Sequence, residues 1–196
     1  ALAGMANKLG VRLGGIGLNA VPNSGMAGDV VGIPVRPGVG DDPDGAKAGR
    51  GYKMWNLDPN TKTVLVTGGS QGAVNINRAL AGAVERITGA GFQVLHAYGR
   101  KNDAPATMDG YTAVPYIDDM EAAYAVADLV VCRSGAMTVA ENSAAGLPAI
   151  YIPLPHGNGE QGLNSAHLVD AGAALRIDDA ALSGDVLVEK LLPLKD

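Results

Sequence analysis

KTVLVTGGSQGA, residues 62–73, is the stretch on which the fold turns. Thr63–Thr67 is a short, mostly apolar and β-branched run, the pattern of a strand covered by helices on both faces rather than of one face turned to water. Gly68-Gly69-Ser70-Gln71-Gly72 stops it, and the apolar spacing from Ala73 to Ile87 predicts a helix. The alternation then continues, with strands expected at Gln93–Ala97, Thr112–Val114, Leu129–Cys132, Ala149–Ile152 and Ala174–Ile177. Between them, helices are expected at Met120–Val126, Met137–Ala145 and Gln161–Asp170, with a closing helix after Ser183. Strands that alternate with helices make a parallel α/β sheet, so residues 62–196 read as a Rossmann-like domain with helices on both faces.

Upstream the pattern weakens. Residues 37–61 hold Asp41-Asp42-Pro43-Asp44-Gly45 and show no steady period, which reads as an exposed linker. Leu2, Met5, Leu9, Leu13 and Ile16 keep a helical step through several glycines, and Val30-Val31-Gly32-Ile33 reads as a strand before Pro34. Residues 1–36 are therefore expected to be the last helix and strand of a preceding unit, and a start at Ala1 in mid-helix reads as a piece of a longer protein.

The whole chain has 196 residues, 15 Lys+Arg against 20 Asp+Glu, a formal charge of -5 and 47% hydrophobic residues. No basic cluster offers a face for nucleic acid, so that class of partner is excluded. No apolar run approaches the roughly 18 residues of a membrane helix. The single cysteine, Cys132, cannot form an intramolecular disulfide.

Ligands of open α/β sheets bind beyond the carboxyl ends of the strands, which makes four loops informative. Gly68–Gly72 brings backbone amides and a helix start close to an anion such as phosphate, although a tight turn needs glycine for steric reasons alone. Ser70 stands where the second glycine of a dinucleotide fingerprint belongs, so NAD is not expected. Gly68-x-Ser70-x-Gly72 also fits a nucleophile elbow, with Asp128 and His156 or His167 following in hydrolase order. The second loop, Cys132-Arg133-Ser134-Gly135, opens another helix, where Arg133 adds charge, Ser134 is a capping candidate and Glu141 could receive two vicinal hydroxyls. The third runs from Ile150 through His156 to Gln161 and Asn164, whose amides suit sugar hydroxyls. In the fourth, Tyr116-Ile117-Asp118-Asp119, loop backbone could read a base edge while an aspartate caps the next helix. The three histidines are too scattered for metal-ligand spacing, and neither metal nor cofactor is expected.

GGSQGA, YIDDMEAAYAVADLVVCRSGAMTVAE, AAGLPAIYIPLP and GEQGLNSA, in this order, resemble the C-terminal half of the bacterial MurG glycosyltransferase family from Ala1 to about Ala181. The resemblance implies the donor-binding half of a GT-B fold, and an inverting transfer of N-acetylglucosamine from UDP-N-acetylglucosamine to lipid-linked MurNAc-pentapeptide in peptidoglycan synthesis. It implies a peripheral place on the cytoplasmic face of the plasma membrane. Carried over by motif, Arg36 of GIPVR and Ser70 are implied donor-site residues, and the backbone of Ile117 is implied to read uracil. Ala136, Met137, Thr138, Val139, Ala140 and Glu141 are implied to meet diphosphate and ribose, and Gln161 the sugar. Nearly all of the family's acceptor-binding domain would lie outside this chain, and no residue here is assigned as catalytic base. Ile33 stands where the family pattern has asparagine, and Ser165 where it has alanine. The rival expectations are a non-catalytic UDP-sugar-binding subunit that needs a partner chain, and a serine hydrolase using Ser70.

Overall fold

The structure is a computed structural model that describes residues 33–69, 72–155 and 159–195. The helix expected over 2–18, most of the strand around Val30–Ile33, Ser70 and His156 lie outside the described residues.

Among the described residues, six strands form one parallel sheet: β1 Lys62–Thr67, β2 Phe92–Ala97, β3 Tyr111–Val114, β4 Leu129–Cys132, β5 Ala149–Tyr151 and β6 Ala174–Arg176, in the order β3-β2-β1-β4-β5-β6. In register, Val64 lies opposite Val94 of β2 on one side and Leu129 of β4 on the other. The connecting helices are α1 Ala46–Trp55, α2 Val74–Ala81, α3 Val84–Gly89, α4 Met120–Val126, α5 Ala136–Ala144, α6 Glu160–Asp170 and α7 Gly184–Leu191. Adjacent strand residues point to opposite faces, so the apolar runs build two cores. Val64 and Val66 pack with Ile76, Leu80, Ile87 and Leu187, which puts α2, α3 and α7 on one face. Leu65 and Val130 pack with Trp55, Ala122, Val126 and Val139, which puts α1, α4 and α5 on the other. The expected α/β, Rossmann-like sheet with helices on both faces is the observed one.

Two local expectations are corrected. The helix read as continuous from Ala73 to Ile87 is two helices, interrupted at Gly82-Ala83. The backbone of Gly184, at the start of α7, approaches there so closely that a Cβ on it would lie 2.8 Å from the Gly82 carbonyl. Residues 37–61 are not all exposed linker, because α1 lies within them and buries Gly51 and Trp55, with Leu57 just beyond. A Cβ on Gly51 would stand 2.7 Å from Val126 and 2.9 Å from the Ala122 carbonyl. It is the point where α1 and α4 touch. The Asp42-Pro43-Asp44 turn serves the same helix, since the Asp42 carboxylate accepts from the amides of Lys47 and Ala48 at 2.9 Å each.

Candidate functional site

Strand order reverses between β1 and β4, and beyond their carboxyl ends lies a cleft of about 600 Å³. Its walls include Thr67–Gly69 and Gly72 after β1, Cys132, Arg133 and Gly135 after β4, Ile117 after β3, and Leu154 after β5.

The glycines of the first loop are there for space. A Cβ on Gly68 would sit 2.3 Å from the amide nitrogen of Ala73. Gly72 has φ +73°, and a Cβ there would come within 2.3 Å of the Tyr98 carbonyl. Three helices begin at this cleft, α2 after Ala73, α5 after Gly135 and α6 after Gly159, and none of these N-cap residues bonds the helix with a side chain. α4, whose first residue Met120 also lines the cleft, is capped by Asp119, and α7 by Ser183, each accepting from an amide of the first turn. The uncapped starts present N–H groups and the positive end of the helix dipole to whatever fills the cleft.

Further along α5, Glu141 also lines the cleft and is 4% exposed. Its carboxylate accepts from Arg36 twice, Nε at 2.8 Å and Nη2 at 3.2 Å, and from the Tyr124 hydroxyl at 2.9 Å. Burial first, and then the Glu141 charge, push the Tyr124 phenol far above its ordinary range, so it remains a donor. Arg133 also lines the cleft, but its Nη1 is 2.5 Å from Asp179 and 3.1 Å from the Ile152 carbonyl. Its charge is therefore committed to the protein and does not face a ligand unpaired, which corrects its expected place in an anion site. Ser134, considered as a helix cap, instead donates to the Gln161 carbonyl at 2.7 Å. The Gln161 side chain accepts from the Leu154 amide at 2.9 Å and lines the cleft. Burial pushes the Cys132 thiol up to about 12, which leaves it inert at the cleft floor.

Of the expected site residues, Arg36, Ile117, Thr138, Glu141 and Gln161 come together around the cleft. Val139 is buried in the core, and the side chains of Ala136, Met137 and Ala140 are not among those lining the walls. Tyr124 was missed: within Glu-Ala-Ala-Tyr-Ala-Val it reads as a core aromatic, and nothing local marks its hydroxyl. Asp128 accepts from the Thr63 amide at 2.7 Å, at the amino end of β1, the end of the strand opposite to the Gly68-Gly69 loop.

Residues 63–196 match the family described as glycosyltransferase family 28 C-terminal domain. The chain belongs to this family. Its relatives include the UDP-N-acetylglucosamine--N-acetylmuramyl-(pentapeptide) pyrophosphoryl-undecaprenol N-acetylglucosamine transferase of Corynebacterium glutamicum (strain R), 60% identical over 194 residues, covering 99% of this chain and 54% of that one. The protein of the same description in Mycolicibacterium smegmatis is 49% identical over 200 residues, covering 99% of this chain and 52% of that one. The chain thus spans about half the length of the curated relatives it matches. Among solved structures, Acinetobacter baumannii MurG superposes with a TM-score of 0.62 at 30% identity, over 74% of this chain and 44% of that one. The calicheamicin glycosyltransferase CalG4 gives a TM-score of 0.62 at 19% identity, over 86% of this chain and 40% of that one, a likeness of fold alone. The glycosyltransferase family 28 assignment agrees with the sequence resemblance and with the sheet order.

Proposed function

We propose that this chain is the UDP-N-acetylglucosamine-binding half of an inverting N-acetylglucosaminyltransferase of peptidoglycan synthesis, acting on lipid-linked MurNAc-pentapeptide. The observation that carries the reading is the cleft itself. Three helix starts without side-chain caps face it from α2, α5 and α6, and a buried carboxylate, Glu141 of α5, lines it as well. In this reading the amides of α2 and of Ala136 and Met137 on α5 take the diphosphate, with Ser70 and Arg36 beside them. The Glu141 carboxylate takes the ribose hydroxyls, the backbone of Ile117 reads uracil, and Gln161 meets the sugar.

The acceptor hydroxyl attacks the anomeric carbon, the bond to UDP breaks, and charge gathers on the departing diphosphate. Fixed amides and Arg36 stabilise that charge without reorganising as it forms. The base that takes the acceptor's proton belongs to the half of the relatives that this chain does not span, as does the hold on the lipid. Residues 1–36 would lead out of that acceptor-binding unit, residues 37–61 would join it to the donor domain, and residues 62–196 would be the donor domain. Among the described residues no helix is long and apolar enough to cross a membrane, which is compatible with peripheral attachment at the cytoplasmic face.

Titration calorimetry of the chain with UDP and UDP-N-acetylglucosamine tests the reading. Saturable binding at or below millimolar ligand is expected, with no sugar transfer by the chain alone because the second substrate is not held. No heat from either ligand at millimolar concentration would remove the donor site.

A further inference from the structure

Glu141 holds its two partners in unequal ways. Tyr124 is 5% exposed and comes from α4; it packs in the core that also holds Val126, Val130 and Trp55, and one edge of it reaches the cleft wall. Arg36 comes from the loop ahead of α1, and its side chain is 52% exposed against 5% for that of Glu141. An arginine that reaches in from solvent can swing out at little cost. A phenol packed in a core cannot.

A carboxylate offers about four acceptor positions, and Arg36 and Tyr124 together occupy three of them. Two vicinal hydroxyls cannot dock on Glu141 while the guanidinium spans both oxygens. Once it leaves, a lone carboxylate on a helix would be free to turn about its last torsion, and the geometry needed for a diol would be lost. The Tyr124 hydroxyl, 2.9 Å from Oε2, prevents that turn.

We propose that Tyr124 is a positioning residue: it pins Oε2 of Glu141 from the core side, so that a ribose diol can replace the Arg36 guanidinium on an already oriented carboxylate. The freed guanidinium then lies at the cleft rim, where the diphosphate of the same ligand collects it. This rests on the donor-site reading above. It assigns Tyr124 no contact with the ligand.

The test separates ribose recognition from general damage by measuring the affinity of the chain for UDP and for 2′,3′-dideoxyuridine diphosphate, before and after Tyr124→Phe. The substitution is expected to weaken UDP about tenfold, the size of one hydrogen bond to a charged group. The dideoxy analogue, which offers Glu141 nothing, should lose no affinity. Equal losses for both ligands, or none for either, would overturn the proposal while the donor site stands. Failure of the unaltered chain to bind UDP would bring down the donor site and this inference with it. Should Tyr124→Phe not fold, Tyr124→Phe is introduced beside Glu141→Gln, whose neutral amide has no need of the phenol's proton. If Tyr124 acts only through the carboxylate, the double variant binds UDP as Glu141→Gln alone does. A further loss would overturn the proposal.

Discussion

Two arginines place a guanidinium beside a carboxylate in the wall of one cleft, and the two pairs are built differently. Arg133 and Asp179 are both largely enclosed, with side chains 12% and 9% exposed, and each has further partners. Arg133 also donates to the Ile152 carbonyl, and Asp179 also accepts from Asn75 of α2 at 2.6 Å. This pair ties together the ends of β4 and β5, the turn before α7 and the start of α2. Arg36 and Glu141 share a bidentate bond, yet the cation is half in water. A charge in a cleft wall is thus available to a ligand only if its partner can be exchanged. Arg133 sits at the more suggestive place in the sequence, directly after a strand, and is the fastener. Arg36, marked in the sequence only by the family resemblance, is the exchangeable cation.

The largest effect should come from breaking the fastener. Asp179→Ala leaves a largely enclosed guanidinium without its counter-charge and should destabilise the fold by about 3–4 kcal/mol, read as a drop in the denaturant midpoint. Arg36→Met should cost distinctly less stability while weakening UDP binding. If the two variants lose stability equally, the contrast between fixed and exchangeable pairs is wrong.

A third buried polar cluster sharpens the contrast, because it contains a group that titrates. His96 on β2 is 1% exposed, with Nδ1 2.7 Å from the Tyr111 hydroxyl and Nε2 3.0 Å from Oδ1 of Asn77 on α2. Asn77 donates its amide to the Tyr98 carbonyl, so Oδ1 must face the ring, Nε2 carries the proton and Tyr111 donates to Nδ1. Burial pushes the imidazole down to about 4 from its ordinary 6.5. The unfolded chain therefore binds more protons between these two values. Stability should be full above pH 6.5 and fall by about 3 kcal/mol as the pH drops toward 4, seen in denaturant midpoints across that window. His96→Gln should flatten this limb; an unchanged limb would assign the acid sensitivity to another group.

The sheet was legible because the strands carry their burial in the sequence: Val64-Leu65-Val66 and Val130-Val131 are apolar at consecutive positions, as only a twice-covered strand requires. Loop chemistry was legible where one residue type has one strong use, as with Asp119 capping α4. What failed was whatever depends on a distant neighbour. Residues 37–61 read as linker until Gly51 of α1 is seen against Val126 and Ala122. Ser134 looks like a cap until α6 brings the Gln161 carbonyl to it. Tyr124 and Glu141 lie 17 residues apart, and the bond between them exists only because α4 and α5 share one face of the sheet.

The smallest expected effect has the opposite sign, and it comes from a polar group that the same packing leaves out. Ser165, where the resembling family has alanine, is fully buried on α6, and its hydroxyl has no hydrogen-bond partner among the described residues. The residues around it are well employed. Asn164 donates to the Ser134 carbonyl at 3.1 Å, and Gln161 accepts from Ser134, so α6 is stitched to the loop after β4 without it. A buried hydroxyl that makes no bond has lost water and gained nothing, so its removal should relieve that cost. Ser165→Ala is expected to stabilise the chain by about 1 kcal/mol and to leave UDP affinity unchanged. A fall in the denaturant midpoint would mean that the hydroxyl has a partner after all, and α6 would then join Arg133 among the fixed parts of the cleft through a contact outside the described residues.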